Sequence, residues 1–305
     1  MEITGLSLAI STSNYQAALL SVDWIQQRTM KKRSKLVLTA LIVVLVAGAG
    51  FAQFRTAREA ESKSVGTPNW KNDEHFQKDV FTFVRIKYSV NGKYGFGHTR
   101  QRYLIDFPDS DLNFSYRLQQ ITSLKVNPDG KVLELTDKEL FDYPFIYIVE
   151  PGRLTFTEQE IPILRQYLLN GGFLMVDDFW GEEEWANFHQ ELRLVFPDRE
   201  SIDLPIEHPI FHCVFDLKEK PQVPGLPHVL SPRWDGRTWE REDAKEVHYR
   251  AILDDKGRIM VLICQNTDLG DGWEREGESE VYFREFSEKK AYPMGINIVF
   301  YAMTH

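Results

Sequence analysis

Two apolar runs with no polar alternation, Tyr143 to Val149 and Phe173 to Val176, stand on either side of a single amphipathic segment. A strand with one wet face alternates apolar and polar residues, so an unbroken run means burial on both faces. Between the runs, Thr157 and Glu160 have the spacing of a capping box, the hydroxyl serving a first-turn amide and the carboxylate reaching back. Ile161, Leu164, Leu168 and Leu169 form the buried stripe of the helix that follows, and Asn170, Gly171 and Gly172 end it. Strand, helix and strand in this order make a parallel crossover, which requires a sheet covered by helices on both sides.

The rest of the chain extends that unit. Phe81, Phe83, Val84, Ile86 and Tyr88 make a β-rich run, broken by the glycines between Asn91 and Gly97. A helix is expected from Asp111 to Leu124 with Asp109 or Ser110 as its cap, then a short strand from Lys131 to Leu135. Glu182 to Val195 reads as the next helix, with Trp185, Phe188, Leu192 and Val195 inward, and Ser201 to Leu204 as a strand. Val247 to Leu253 and Arg258 to Cys264 flank an Asp254-Asp255-Lys256-Gly257 turn and read as an antiparallel hairpin at a sheet edge. Met294 to Met303 reads as a closing helix. The expected fold is a three-layer, flavodoxin-like α/β domain, its sheet mainly parallel with an antiparallel hairpin extension.

That domain is expected to occupy residues 76–305, after a polar linker at 53–75. Ahead of it, the basic run Met30 to Lys35 precedes an uncharged apolar stretch from Leu36 to Gly50, the arrangement of a secretory signal peptide. Gly50 and Ala52 are the small residues that cleavage after Ala52 needs. The stretch is shorter than the about 20 apolar residues that span a bilayer, which favours cleavage over an anchor retained in the inner membrane. Residues 1–29 are polar and patternless, and read as an extension upstream of a start at Met30. The address implied is the periplasm or cell envelope, with membrane contact only through an uncleaved N-terminal segment. A net charge of -9 gives no basic face for nucleic acid. Cys213 and Cys264 sit in apolar settings and read as unpaired core thiols.

The segment from Tyr143 to Gly181, with Pro144, Gly171-Gly172 and Asp177-Asp178, the Leu204-Pro205 and His208-Pro209 steps, and the run Asp268 to Glu274 resemble the bacterial family of domain of unknown function 4159. The resemblance covers about residues 80–305, and the Asp268 run is its most specific element. It implies a class I glutamine amidotransferase-like fold and leaves the chemistry open. Catalytic amidotransferases carry a cysteine nucleophile on a tight strand-to-helix turn, flanked by glycines. Here the corresponding strand ends in Asp177, Asp178, Phe179, Trp180 and Gly181, and neither cysteine has that setting. Glutamine hydrolysis by a thiol is therefore not expected.

Three constellations carry chemical potential. Asp177, Asp178, Trp180, Glu182 and Glu183 lie where an apolar strand gives way to a helix, the place where open α/β sheets bind ligands. They either cap and charge-complement the helix or act as a site for a hard cation or acid-base work. Asp268, Asp271, Trp273 and Glu274, with Gly270 and Gly272, follow the last strand. Their acids can take a cation and the tryptophan can face a sugar, or the run is a structured loop with Trp273 buried. His98 and Arg100 lie in a glycine-rich loop after the first strand, a setting that can cradle an anion, but it lacks the Gly-Lys-Ser/Thr ending of a phosphate loop and reads better as a structural loop. The reading is an exported, non-catalytic domain that binds a ligand or an envelope protein, without a dedicated cofactor; a divalent cation at the acidic loops is compatible with it. The alternative is a carboxylate-dependent hydrolase of an envelope polysaccharide or glycoconjugate, pairing Asp177 or Asp178 with Asp271 or Glu274.

Overall fold

The structure, a computed structural model, describes residues 54–73, 75, 79–90 and 101–305. The upstream extension, the signal segment and the loop carrying His98 and Arg100 lie outside the described residues.

Seven strands form the central sheet: β1 (Val84–Lys87), β2 (Lys131–Glu134), β3 (Phe145–Val149), β4 (Phe173–Asp177), β5 (Ile202–Asp203), β6 (His248–Leu253) and β7 (Ile259–Gln265). Their spatial order is β2-β1-β3-β4-β7-β6-β5. The first five in that order run parallel; β6 is antiparallel to β7, and β5 to β6. The expected crossover is present, with Phe145 opposite Phe173 and Val149 opposite Asp177. Every residue of β3, β4 and β7 is buried, as unbroken apolar runs require.

Helices cover both faces: α1 (Asp109–Ile121), α2 (Glu160–Leu169), α3 (Gly181–Val195), α4 (Leu269–Glu274) and α5 (Tyr292–Thr304). Alternate residues of β3 sort between two cores. Phe145 and Tyr147 join Phe114 of α1, Trp273 of α4 and Ile296 of α5, whereas Ile146 and Ile148 join Leu164 of α2 and Phe188 of α3. The capping box ahead of α2 forms as expected. The Thr157 amide donates to Glu160 Oε2 at 2.8 Å, and the Glu160 amide donates to Thr157 Oγ1 at 3.2 Å. None of the helices among the described residues is long and apolar enough to cross a membrane.

Several expectations need correction. Neither Asp109 nor Ser110 caps α1; Asp109 is its first residue and accepts instead from the Ser62 hydroxyl at 2.5 Å and the Lys63 amide at 2.7 Å. Those donors belong to the segment read as a linker, which from residue 54 packs on the domain. Ala57 is fully buried and donates to the Asp129 carbonyl, Val132 donates to the Arg55 carbonyl, and the Trp70 indole donates to the Val126 carbonyl. The hairpin β6–β7 forms, but β5 lies outside it and takes the edge. Both cysteines are free, as expected, yet Cys264 is buried in β7 while Cys213 is exposed, so only one is a core thiol.

Candidate functional site

The parallel strands end in unusual backbone. Glu150, Asp178 and Asn266, the residues directly after β3, β4 and β7, have φ of 48°, 57° and 63°, and Asp106, three residues before α1, has φ of 60°. The left-handed region costs an L-residue roughly 1–2 kcal/mol, so each must be held by its surroundings. The Glu150 amide donates to the Asp177 carbonyl, the Asp178 amide to the Thr267 carbonyl, and the Asn266 amide to the Phe179 carbonyl. These bonds lace the three strand ends together and turn acidic side chains toward one another.

Five carboxylates converge there. Oxygens of Asp106, Asp178 and Asp268 lie within 4.8 Å of one another, and so do oxygens of Asp106, Asp271 and Glu274. All five residues are buried, none more than 8% exposed. Asp177 lies beside them, with one oxygen accepting from the Gly270 amide at 2.9 Å and the Tyr147 hydroxyl at 3.4 Å. Its other oxygen and Asp106 Oδ2 are buried without a hydrogen-bond partner.

Crowding acids away from water raises their affinity for protons. Burial pushes Asp177 up to about 7, although amide hydrogen bonds hold it down in part. Burial also raises Glu150 to about 7, against the opposing pull of Arg102 at 3.0 Å. Glu274 is raised by burial to about 8, its Arg275 partner opposing the change. Burial drives Asp106, Asp178 and Asp268 well above the usual carboxylate range, and neighbouring acids add to it: Asp271 and Glu274 at Asp106, Glu150 and Asp106 at Asp178, and Asp178 and Asp271 at Asp268.

The surrounding shell explains how the loops hold this shape. Arg85, fully buried on β1, donates through Nε to both oxygens of Asp111, through Nη2 to Ser110 Oγ, and through Nη1 to the Tyr103 and Ile105 carbonyls. It thereby pins the loop that presents Asp106. Gly270 is required by close approach, since a Cβ there would collide with Asp106 Oδ2 and stand 3.0 Å from the Tyr147 hydroxyl. Arg275 pairs with Asp271 Oδ1 at 2.8 Å and Glu274 Oε2 at 2.9 Å. On the far side, the Leu226 amide donates to Asp271 Oδ2 and the Gly225 amide to Glu240 Oε1. Glu240 is itself raised by burial.

Of the residues singled out from sequence, Asp177, Asp178, Asp268, Asp271 and Glu274 come together. Asp178 does not cap α3; that helix begins after Trp180 without a side-chain cap, and Glu184 accepts the Trp180 amide at 2.9 Å. Trp180 is buried and donates its indole N–H to Asp178 Oδ1 at 3.1 Å. Glu182 is exposed, and the group of that residue that is bonded is its amide, to Asp243. Trp273 offers no face to a sugar: it is fully buried on α4, 4.5 Å from the Phe114 ring. The run Asp268 to Glu274 is a capped helix rather than a loop, Asp268 accepting the Asp271 amide at 2.7 Å. Sequence reasoning missed Asp106, Glu150, Arg85 and Glu240. A cavity of about 560 Å³ elsewhere is lined by residues including Asp203, Lys220, Lys245 and Lys290, and by none of the clustered acids.

Fold and site together define an α/β domain whose buried carboxylates gather where a mostly parallel sheet meets its loops. The chain belongs to the DUF4159 family, a domain of unknown function whose family model matches residues 82–303. Comparison with curated proteins finds no match.

Proposed function

We propose that this chain is an exported, non-catalytic ligand-binding domain of amidotransferase-like, flavodoxin-like architecture, acting at the cell envelope with the strand-end carboxylates as its binding site. The observation that carries the reading is the convergence of Asp106, Asp178 and Asp268 from three separate segments onto one point. The order of the parallel strands, β2-β1-β3-β4-β7, supports it, because doubly wound sheets of this order bind ligands outside the carboxyl ends of their strands. Export rests on the basic and apolar segment at residues 30–52.

Binding is favoured over turnover on two grounds. Asp178 occupies the left-handed turn between β4 and α3, where an amidotransferase would carry its thiol. The clustered carboxylates are also buried rather than set across an open cleft, where glycoside cleavage needs its pair to flank a substrate. The test is a thermal-shift screen of the purified full-length chain against polyamines, amino sugars, neutral sugars and divalent cations, repeated with Asp178→Asn. A stabilising compound whose effect disappears in the variant is expected. No stabilising compound of any class, or one acting equally on the variant, would overturn the reading.

A further inference from the structure

Resting on that binding reading, we infer that the occupant of the site is a hard divalent cation of the Ca2+ type, held by Asp106, Asp178 and Asp268. The three residues come from the loop before α1, the turn after β4 and the cap of α4, so the fold has brought together acids that sequence keeps far apart. Their oxygens lie within 4.8 Å of one another. Two oxygens on opposite sides of a calcium ion, each about 2.4 Å from it, are separated by about that distance.

A second observation points to a positive charge at this place. Asp106, a member of the group that closes on this point, is 7% exposed, yet its Oδ2 has no hydrogen-bond partner. Buried carboxylates are paired, bound to a metal or protonated, because an uncompensated charge in the interior is costly. The neighbouring group shows what compensation looks like: Arg275 lies between Asp271 and Glu274 and supplies their cation. Among the described residues, Asp106, Asp178 and Asp268 make no ion pair with a lysine or arginine. Arg85, the buried guanidinium of β1, directs its donors to Asp111, Ser110 and two carbonyls.

The donor set selects the kind of ion. Every donor is a carboxylate oxygen, with no thiolate or imidazole, which suits Ca2+, Mn2+ or Mg2+ and disfavours zinc or copper. Asp268 Oδ1 is tied to the Asp271 amide, and Asp178 Oδ1 to the Trp180 indole, so both side chains are oriented before any ion arrives.

The test uses the full-length chain stripped with chelator, followed by thermal unfolding with Ca2+, Mn2+, Mg2+ or Zn2+. The expected result is a Kd at or below about 1 mM for Ca2+, with a rise in Tm of roughly 5 °C or more at 100 times Kd. Asp106→Asn should lose at least ten-fold in affinity, while Glu280→Gln, an exposed acid elsewhere, should keep the full shift. If Asp106→Asn does not fold, Tb3+ titrated into the wild-type chain replaces it. Emission sensitised through Trp180 and displaced by Ca2+ supports the site, and its absence overturns it. No shift with any hard cation, a shift with Zn2+ alone, or a Ca2+ shift unchanged in Asp106→Asn overturns the cation. In those cases an amine or sugar shift abolished by Asp178→Asn leaves the binding reading standing, and the absence of that shift removes both.

Discussion

Gly270 and Asp106 share a space that a single methyl group would fill. The glycine is helical with no positive φ to require it, so the constraint is purely one of approach by the Asp106 carboxylate and the Tyr147 hydroxyl. Gly270→Ala should therefore cost about 1–3 kcal/mol, the usual penalty for overpacking, less the small helix-propensity gain of alanine. Urea unfolding measures it, and a neutral or stabilised variant would show that the loop yields freely. Glu150 gives a prediction of opposite character. Its folded value of about 7 lies above the ordinary 4.5, so the folded state favours the protonated form. The stability this contributes is complete below about pH 4.5 and is lost as pH rises through 7. Glu150→Gln is neutral at every pH and escapes that loss. The Tm of the variant minus that of wild type should grow between pH 4.5 and 8, by the equivalent of about 1–3 kcal/mol. A flat difference would place Glu150 in a more solvated setting than its 21% side-chain exposure indicates.

The link between β1 and α1 depends on one buried ion pair. Arg85 and Asp111 are each fully buried, and the guanidinium also holds Ser110 and the loop carbonyls before Asp106. Removing one partner strands the other charge, so Arg85→Met should cost about 3–5 kcal/mol. Adding Asp111→Leu should recover part of it, though Tyr103 and Ile105 would still lack a donor. A double-mutant cycle in urea should report a coupling of about 1–3 kcal/mol; additive costs would mean that the pair is not coupled. The same region shows why parts of this molecule were legible and others not. The crossover β3–α2–β4 could be read because its signals are local: two apolar runs, one capping box and one glycine stop within a few dozen residues. Asp106 could not, because its loop carries no periodicity and is held at the site partly by Arg85, which lies on a distant strand. Trp273 was ambiguous for a related reason, since a tryptophan between acids and glycines has the same sequence whether its ring faces solvent or Phe114. The segment after residue 54 reads as linker by composition, but its amides and carbonyls find partners on the domain.

For the whole molecule, compartment and site chemistry depend on each other. A weak hard-cation site of a few carboxylates is filled where Ca2+ is near millimolar, as for extracellular modules, whereas cytosolic sites need far tighter binding. Export, proposed from residues 30–52, would therefore place the domain where such a site is loaded. The segment makes its own prediction. Residues 30–60 fused to a reporter enzyme that gains activity only outside the cytoplasm should confer activity, and Val43→Arg with Leu45→Arg, which breaks the apolar stretch, should abolish it. Cleavage after Ala52 should leave Gln53 at the mature N-terminus, read by intact-mass measurement of the exported protein. The mature chain would then begin immediately before Phe54 and Arg55, and the Arg55 carbonyl already bonds β2 at Val132. A mature terminus several residues further in would remove that bond and the buried Ala57, and would cost stability. An uncleaved product of full mass would instead make the segment an anchor, holding the carboxylate site at the outer face of the membrane.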